Sequence, residues 1–176
     1  TGHILFPVVP STIYPKVIGH WNVWPLEYDA EGPWRGAPWD EMVEPGQLFD
    51  RFVEAGWPQE TGVIQLNHPW GGLQFGRDFG WVGALEMDLT EPLSDDISIG
   101  QGIFSRTPEG ATFANDDYDA QEVMNGSNNF TFTQYRQVWF YLLNEGTLRA
   151  GTANSDSHTI GGEVLGTPRN LVYADL

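Results

Sequence analysis

From Ala120 to Ala153 the chain reads strand, helix, strand, and this run constrains the fold more than any other. Ala120-Gln-Glu-Val-Met-Asn-Gly126 is a short strand closed by Asn-Gly. Thr131 to Glu145 then sets Phe132, Tyr135, Val138, Trp139, Leu142 and Leu143 on one helical face, with Gly146 as the stop signal. Leu148 to Ala153 returns to a short apolar alternation. The same order stands upstream: a β-branched and aromatic strand from Lys16 to Leu26 ending at Pro25, a helix from Pro45 to Gly56, and a strand from Gly62 to Pro69. The upstream helix carries Leu48, Phe49, Phe52 and Val53 at helical spacing. A last strand, Arg169 to Ala174, follows the turn at Gly166-Thr-Pro168. Strands alternating with helices predict an α/β fold with a parallel sheet, and polar residues at strand ends predict a barrel-type active face.

The rest of the chain is less regular. Pro7, Pro10 and Pro15 exclude a helix from the first fifteen residues, so His3 falls in extended or loop structure. Glu27 to Glu44 is a Pro-, Gly- and Trp-rich acidic loop of the kind that covers binding sites. Glycines, aromatics and acids fill 70–118, with an insertion expected at about 83–118. The Asp cluster at Asp116-Asp-Tyr-Asp119 lacks the spacing of an EF-hand loop and reads as solvated surface. A length of 176 residues fits one domain.

Charge and composition narrow the partners. A formal charge of −16, with Lys16 the one lysine, argues against nucleic acid and anionic membranes. No apolar run is long enough to span a bilayer. With no cysteine, any metal must be held by His, Asp and Glu, which favours Zn, Mn, Fe or Mg.

Gly151-Thr-Ala-Asn-Ser-Asp-Ser-His158-Thr-Ile-Gly-Gly concentrates the chemistry. In an extended chain the spacing of two puts Asp156 and His158 on one face, where carboxylate and imidazole can converge on a metal or a water. Alone, such an Asp-x-His reads as a turn with a surface histidine. Two further histidines lie within or at the ends of expected strands, His20 directly after a glycine and His68 at a strand's C-terminal end. If those strands run parallel, their ends share one mouth, and His20, His68, Asp156 and His158 become one candidate metal site.

These segments, in order, resemble the polymerase-and-histidinol-phosphatase (PHP) superfamily of metallohydrolases, in its carbaryl-hydrolase-like branch. The resemblance runs through Gly19-His20-Trp-Asn-Val-Trp-Pro-Leu26, Leu66-Asn-His68-Pro69, Asp119-Ala-Gln-Glu-Val-Met-Asn-Gly126, Trp139-Phe-Tyr-Leu-Leu-Asn-Glu-Gly146, the Asp156/His158 run, and Gly166-Thr-Pro-Arg169. It implies the C-terminal portion of a distorted (β/α)7 TIM-like barrel. It further implies a centre of two or three divalent transition metals, Zn, Mn or Fe, that hydrolyses phosphate esters or related ester and carbamate bonds of a small-molecule substrate. His20 and His68 would ligate one metal, Asp156 would bind its neighbour and orient or deprotonate the attacking water, and His158 would hold a further metal. Asn67, Asn154 and Arg169 would support these ligands or the substrate. The family's opening His-x-His, a further His and a bridging Glu have no counterpart in this sequence, so an N-terminal half or second polypeptide is expected to complete the barrel.

Two rival readings stand beside it. One is a non-catalytic binding or structural subunit with a degenerate form of the same fold, using Trp34, Trp39, Trp70 and Trp81 as exposed aromatics in Gly-rich loops. The other is an N-terminal nucleophile hydrolase with Thr1 as the attacking residue, although no base is evident beside it.

Overall fold

The computed structural model describes residues 3–5, 8–9, 16–17, 19–33, 37–38, 45–70, 80–84, 87–92, 117–159, 161 and 165–174. Strands β1 (His3–Leu5), β2 (Val8–Val9), β3 (Lys16–Val17) and β4 (His20–Trp24) come first, followed by α1 (Pro45–Glu54) and β5 (Val63–Asn67). The short helix α2 (Gly80–Ala84), β6 (Ala120–Asn125), α3 (Asn129–Asn144) and β7 (Ala150–Asn154) complete the order. Most of the expected insertion, together with Trp34, Trp39 and Asp116, lies outside the described residues. Among the described residues no helix is long and apolar enough to cross a membrane.

Both long helices stop where the sequence places a glycine. Gly56 has φ +90° and Gly146 φ +81°, in the left-handed region that costs a side chain most. At each end two backbone bonds close the last turn, Gly56 N to Val53 O with Trp57 N to Phe52 O, and Gly146 N to Leu143 O with Thr147 N to Leu142 O. α3 begins two residues earlier than its apolar face suggests, because Asn128 caps it by accepting from Phe130 N at 2.9 Å. Tyr135, Val138, Tyr141 and Leu142 form its buried face, and Leu48, Phe49 and Phe52 that of α1; Val53 stays exposed.

Five strands form one sheet in the order β1-β4-β5-β6-β7, and β2 pairs with β3 apart from it. β5, β6 and β7 run parallel, as βαβ crossovers require, but β4 is antiparallel to both β1 and β5. The expected all-parallel sheet is thus corrected to a mixed one. Alternation of apolar and polar residues fixes which face a strand buries and leaves its direction open. The class is α/β with an open sheet, and the expected barrel portion is not recognisable in it. The expected strand over 169–174 is also absent: the described residues there carry no ladder, and Leu171, Val172 and Tyr173 are exposed.

Register sorts the two faces of the sheet. Trp21 pairs with Leu66, Leu66 with Gln121 and Gln121 with Gly151, giving a row that faces the helices, with Trp21 edge-on to Phe49 of α1 at 5.0 Å and Gln121 Nε2 donating to Tyr135 O of α3. Val23 and Ile64 share this face, and the cluster of Trp21, Val23, Leu48, Phe52, Ile64, Leu66, Trp81, Val138 and Leu142 is the core. Each large side chain fully buried there contributes roughly 1.5–3 kcal/mol of transfer free energy. The alternate positions form a polar row on the opposite face: His20 pairs with Asn67, and Glu122 with Thr152. His20, Gln65, Asn67 and Glu122 are all buried, so that face is an enclosed polar one.

Candidate functional site

The polar row ends in a cleft of about 560 Å³ lined by His20, Asn22, Asn67, His68, Glu122, the run Ala153 to His158, and Gly166, Pro168, Arg169 and Asn170. All seven residues singled out from the sequence, His20, His68, Asp156, His158, Asn67, Asn154 and Arg169, therefore line one cavity. The route by which His20 arrives differs from expectation. It starts β4 instead of lying inside a strand that begins at Lys16, and reaches the cleft because β4 runs antiparallel, with its first residue opposite Asn67 at the end of β5.

His68 sits at the centre. Its ring lies 5.1 Å from that of His20, centroid to centroid. Its Nε2 is 3.7 Å from Asp156 Oδ2, and His158 Nε2 is 3.6 Å from Asp156 Oδ1. His68 and Asp156 have φ of 46° and 49°, the two positive values among the described non-glycine residues. A backbone held there costs of order 1 kcal/mol or more, and such residues cluster at functional sites. The turn after β5 and the turn after β7 thus both spend stability to aim a side chain at the same cleft.

Glu122 is the residue the sequence reading passed over. Its side chain is 1% exposed, and its Oε2 lies 2.8 Å from His68 Nδ1 while accepting from His68 backbone N at 2.9 Å. Its Oε1 accepts from Asn125 Nδ2 at 3.2 Å and Asn154 Nδ2 at 3.0 Å. An acid inside the expected strand Ala120 to Asn125 was the available signal. Asn22 was missed as well; its Oδ1 is buried with no hydrogen-bond partner among the described residues.

Electrostatics divide the histidines. Burial, reinforced by the neighbouring His68, pushes His20 down to about 4, so it is neutral at physiological pH. Burial also pulls on His68, but the hydrogen bond and charge of Glu122, with Asp156 beyond it, outweigh that and hold it above its ordinary value. Tyr135, whose ring lies 6.4 Å from that of His68, is pushed up by burial and then by the charges of Glu122 and Asp156.

The donor set is chemically suited to a divalent transition metal, with imidazoles and a carboxylate and no thiolate. Two atoms on one tetrahedral zinc at about 2.0–2.1 Å lie about 3.3 Å apart. The two His–Asp separations, 3.7 and 3.6 Å, are a few tenths of an ångström wider than that. Accordingly, among the described residues no group of three or more His, Asp or Glu side chains closes to metal-ligand geometry.

Of the aromatic residues of the rival binding-module reading, the described Trp70 and Trp81 lie outside this cleft. Trp81 is fully buried, edge-on to Tyr118 at 5.9 Å, and Trp70 packs against the core, so neither is an exposed groove residue. Thr1 lies outside the described residues. The sequence matches no protein-family model, no curated protein and no solved structure.

Proposed function

We propose that this chain supplies part of the centre of a metal-dependent hydrolase acting on phosphate esters or related ester and carbamate bonds of a small molecule. The observation that carries the reading is the convergence of His20, His68, Asp156 and His158 on one cleft, with Asp156 between two imidazoles. His20 and His68 would hold one metal, Asp156 and His158 its neighbours. Zn, Mn or Fe bound there would lower the pKa of a bound water and offset charge developing on the substrate. Asp156, half-buried at the mouth, is placed to orient that water or take its proton. Asn67 and Asn154 brace the polar face, and Arg169 at the rim offers a guanidinium to an anionic substrate group. Ligands beyond these four would come from an N-terminal half or second polypeptide completing a PHP-type barrel.

The alternative, a non-catalytic subunit of degenerate PHP-type fold, draws on the His–Asp separations, which are wider than a shared metal requires. Metal content decides between them. Elemental analysis of the purified protein, followed by Zn²⁺ and Mn²⁺ titration of the chelator-treated form, should give tight binding that His68→Ala and Asp156→Ala each abolish. Wild-type protein that takes up neither ion would sink the hydrolase reading.

A further inference from the structure

We infer that Glu122 is the positioning residue of the cleft, holding His68 as the Nδ1–H tautomer so that Nε2 is the ring atom presented to Asp156. The claim depends on the proposed function only in taking Nε2 as the working atom. Among the described residues Nδ1 has Glu122 Oε2 at 2.8 Å and Asn125 Nδ2 at 3.3 Å beside it. Were Nδ1 unprotonated, its lone pair would face a buried carboxylate oxygen at the shorter distance, and Asn125 would donate over the longer one. With the proton on Nδ1, the short contact becomes a hydrogen bond to a carboxylate, and Asn125 keeps its donation to Glu122 Oε1 at 3.2 Å. Distance and charge therefore select the same tautomer.

Glu122 also fixes the backbone that carries the ring. Its Oε2 accepts from His68 N at 2.9 Å, at the residue whose φ is 46°. All four contacts to the carboxylate, from His68 N, His68 Nδ1, Asn125 Nδ2 and Asn154 Nδ2, come from donors once Nδ1 is protonated. A glutamine at 122 would turn its NH2 toward donors in either orientation, so the site calls for a carboxylate and not its isostere. A histidine that ligates through one nitrogen is commonly oriented through the other in this way. Asn154, next to the Asp156 turn, shares the same carboxylate, so Glu122 ties both strand-end turns to one buried anchor.

The test is long-range ¹H–¹⁵N correlation spectroscopy of histidine-labelled, chelator-treated protein at alkaline pH, with His68→Gln used for assignment. Wild-type His68 is expected as the Nδ1–H form, and an Nε2–H form overturns the inference, whether or not Glu122 variants fold. In Glu122→Gln and Glu122→Ala that keep the wild-type circular dichroism, the tautomer preference should be lost while the exposed His158 signals stay unchanged. Retention of the preference in both also overturns it. Zn²⁺ affinity should fall by about 10–100-fold in the same variants. Wild-type protein in the Nδ1–H form that binds no Zn²⁺ upholds the positioning role and removes the hydrolase reading. Zn²⁺ binding with His68 in the Nε2–H form does the reverse.

Discussion

His20 stands opposite Asn67 in the antiparallel pairing of β4 with β5, so the first residue of one strand meets the last of the other. Its imidazole is thereby carried to the same end of the sheet as His68 and into a buried polar face.

That placement sets the pH dependence of stability. His20 has a folded value near 4 against an ordinary 6.5. Between those values the unfolded chain binds a proton that the folded one refuses, so this contribution is present above pH 6.5 and is lost as pH falls toward 4. Its full size is about 3 kcal/mol by linkage. His68 is shifted the other way, so its contribution is complete below pH 6.5 and is lost as pH rises through its raised folded value. Denaturant unfolding across pH should show His20→Gln flattening the acid limb and His68→Gln the alkaline one.

Asp156 trades stability for aim. Its φ of 49° suits asparagine or glycine better than most residues. Asp156→Asn should unfold within about 0.5 kcal/mol of wild type, and Asp156→Gly should gain up to about 1 kcal/mol. Both should lose Zn²⁺ affinity at least about tenfold, the lower end of the loss for even an outer partner of a metal ligand. Calorimetric melting and metal titration on the same samples separate the two effects.

Two glycines should differ sharply in what alanine costs them. At Gly62 an added Cβ would fall on the Trp57 indole and 2.7 Å from Pro58 O, with backbone unable to yield. At Gly151 the nearest atoms, Val123 Cγ1 at 3.4 Å and Trp139 Cε2 at 3.5 Å, are at ordinary contact distance. Gly62→Ala should cost about 1–3 kcal/mol as an overpacking change, and Gly151→Ala less than about 0.5 kcal/mol. Urea midpoints at constant m-value are the measure.

Leu66 tests the core face directly. It is fully buried in the row between Trp21 and Gln121. Leu66→Ala should cost about 2–5 kcal/mol in equilibrium unfolding. The neighbouring Asn67→Ala, on the polar face, strips the hydrogen bond that Gln65 Nε2 donates to Asn67 Oδ1 at 2.6 Å and should cost about 1–3 kcal/mol.

Particular residues show what the sequence discloses. Pro45, Gly56 and Gly146 punctuate α1 and α3, and local chemistry at these positions acts without help from the rest of the fold; the cap at Asn128, ahead of the expected helix start at Thr131, was not read. His68, Asp156 and His158 were legible for the same reason, since each sits in a short turn after a strand with a clear apolar pattern. The direction of β4 was not, because pairing with β1 and β5 is a long-range choice that alternation does not encode. Glu122 was hidden because, apart from Asn125, its partners lie far off in the sequence, 54 residues upstream at His68 and 32 downstream at Asn154, so only its place inside a strand could have marked it. Trp81 misled in the opposite sense, as a glycine-rich neighbourhood looks like surface until Tyr118 is seen beside it. Arg169 to Ala174 has the composition of a strand but no ladder among the described residues.

The last strand of the described sheet still has one outward contact. Asn170 Oδ1 accepts from Ala153 N at 2.8 Å and its Nδ2 donates to Ala153 O at 3.4 Å, so a single side-chain amide occupies a rung where another strand would pair. Newcomers to that border, including a second copy of the molecule, must first evict it. Asn170→Ala should therefore speed amide exchange at Ala153 and raise the tendency to self-associate at high concentration, readable by hydrogen exchange and light scattering. A residue that looks like a mouth-lining polar group from the cleft side is, from the border side, a sentry against unwanted extension of the sheet.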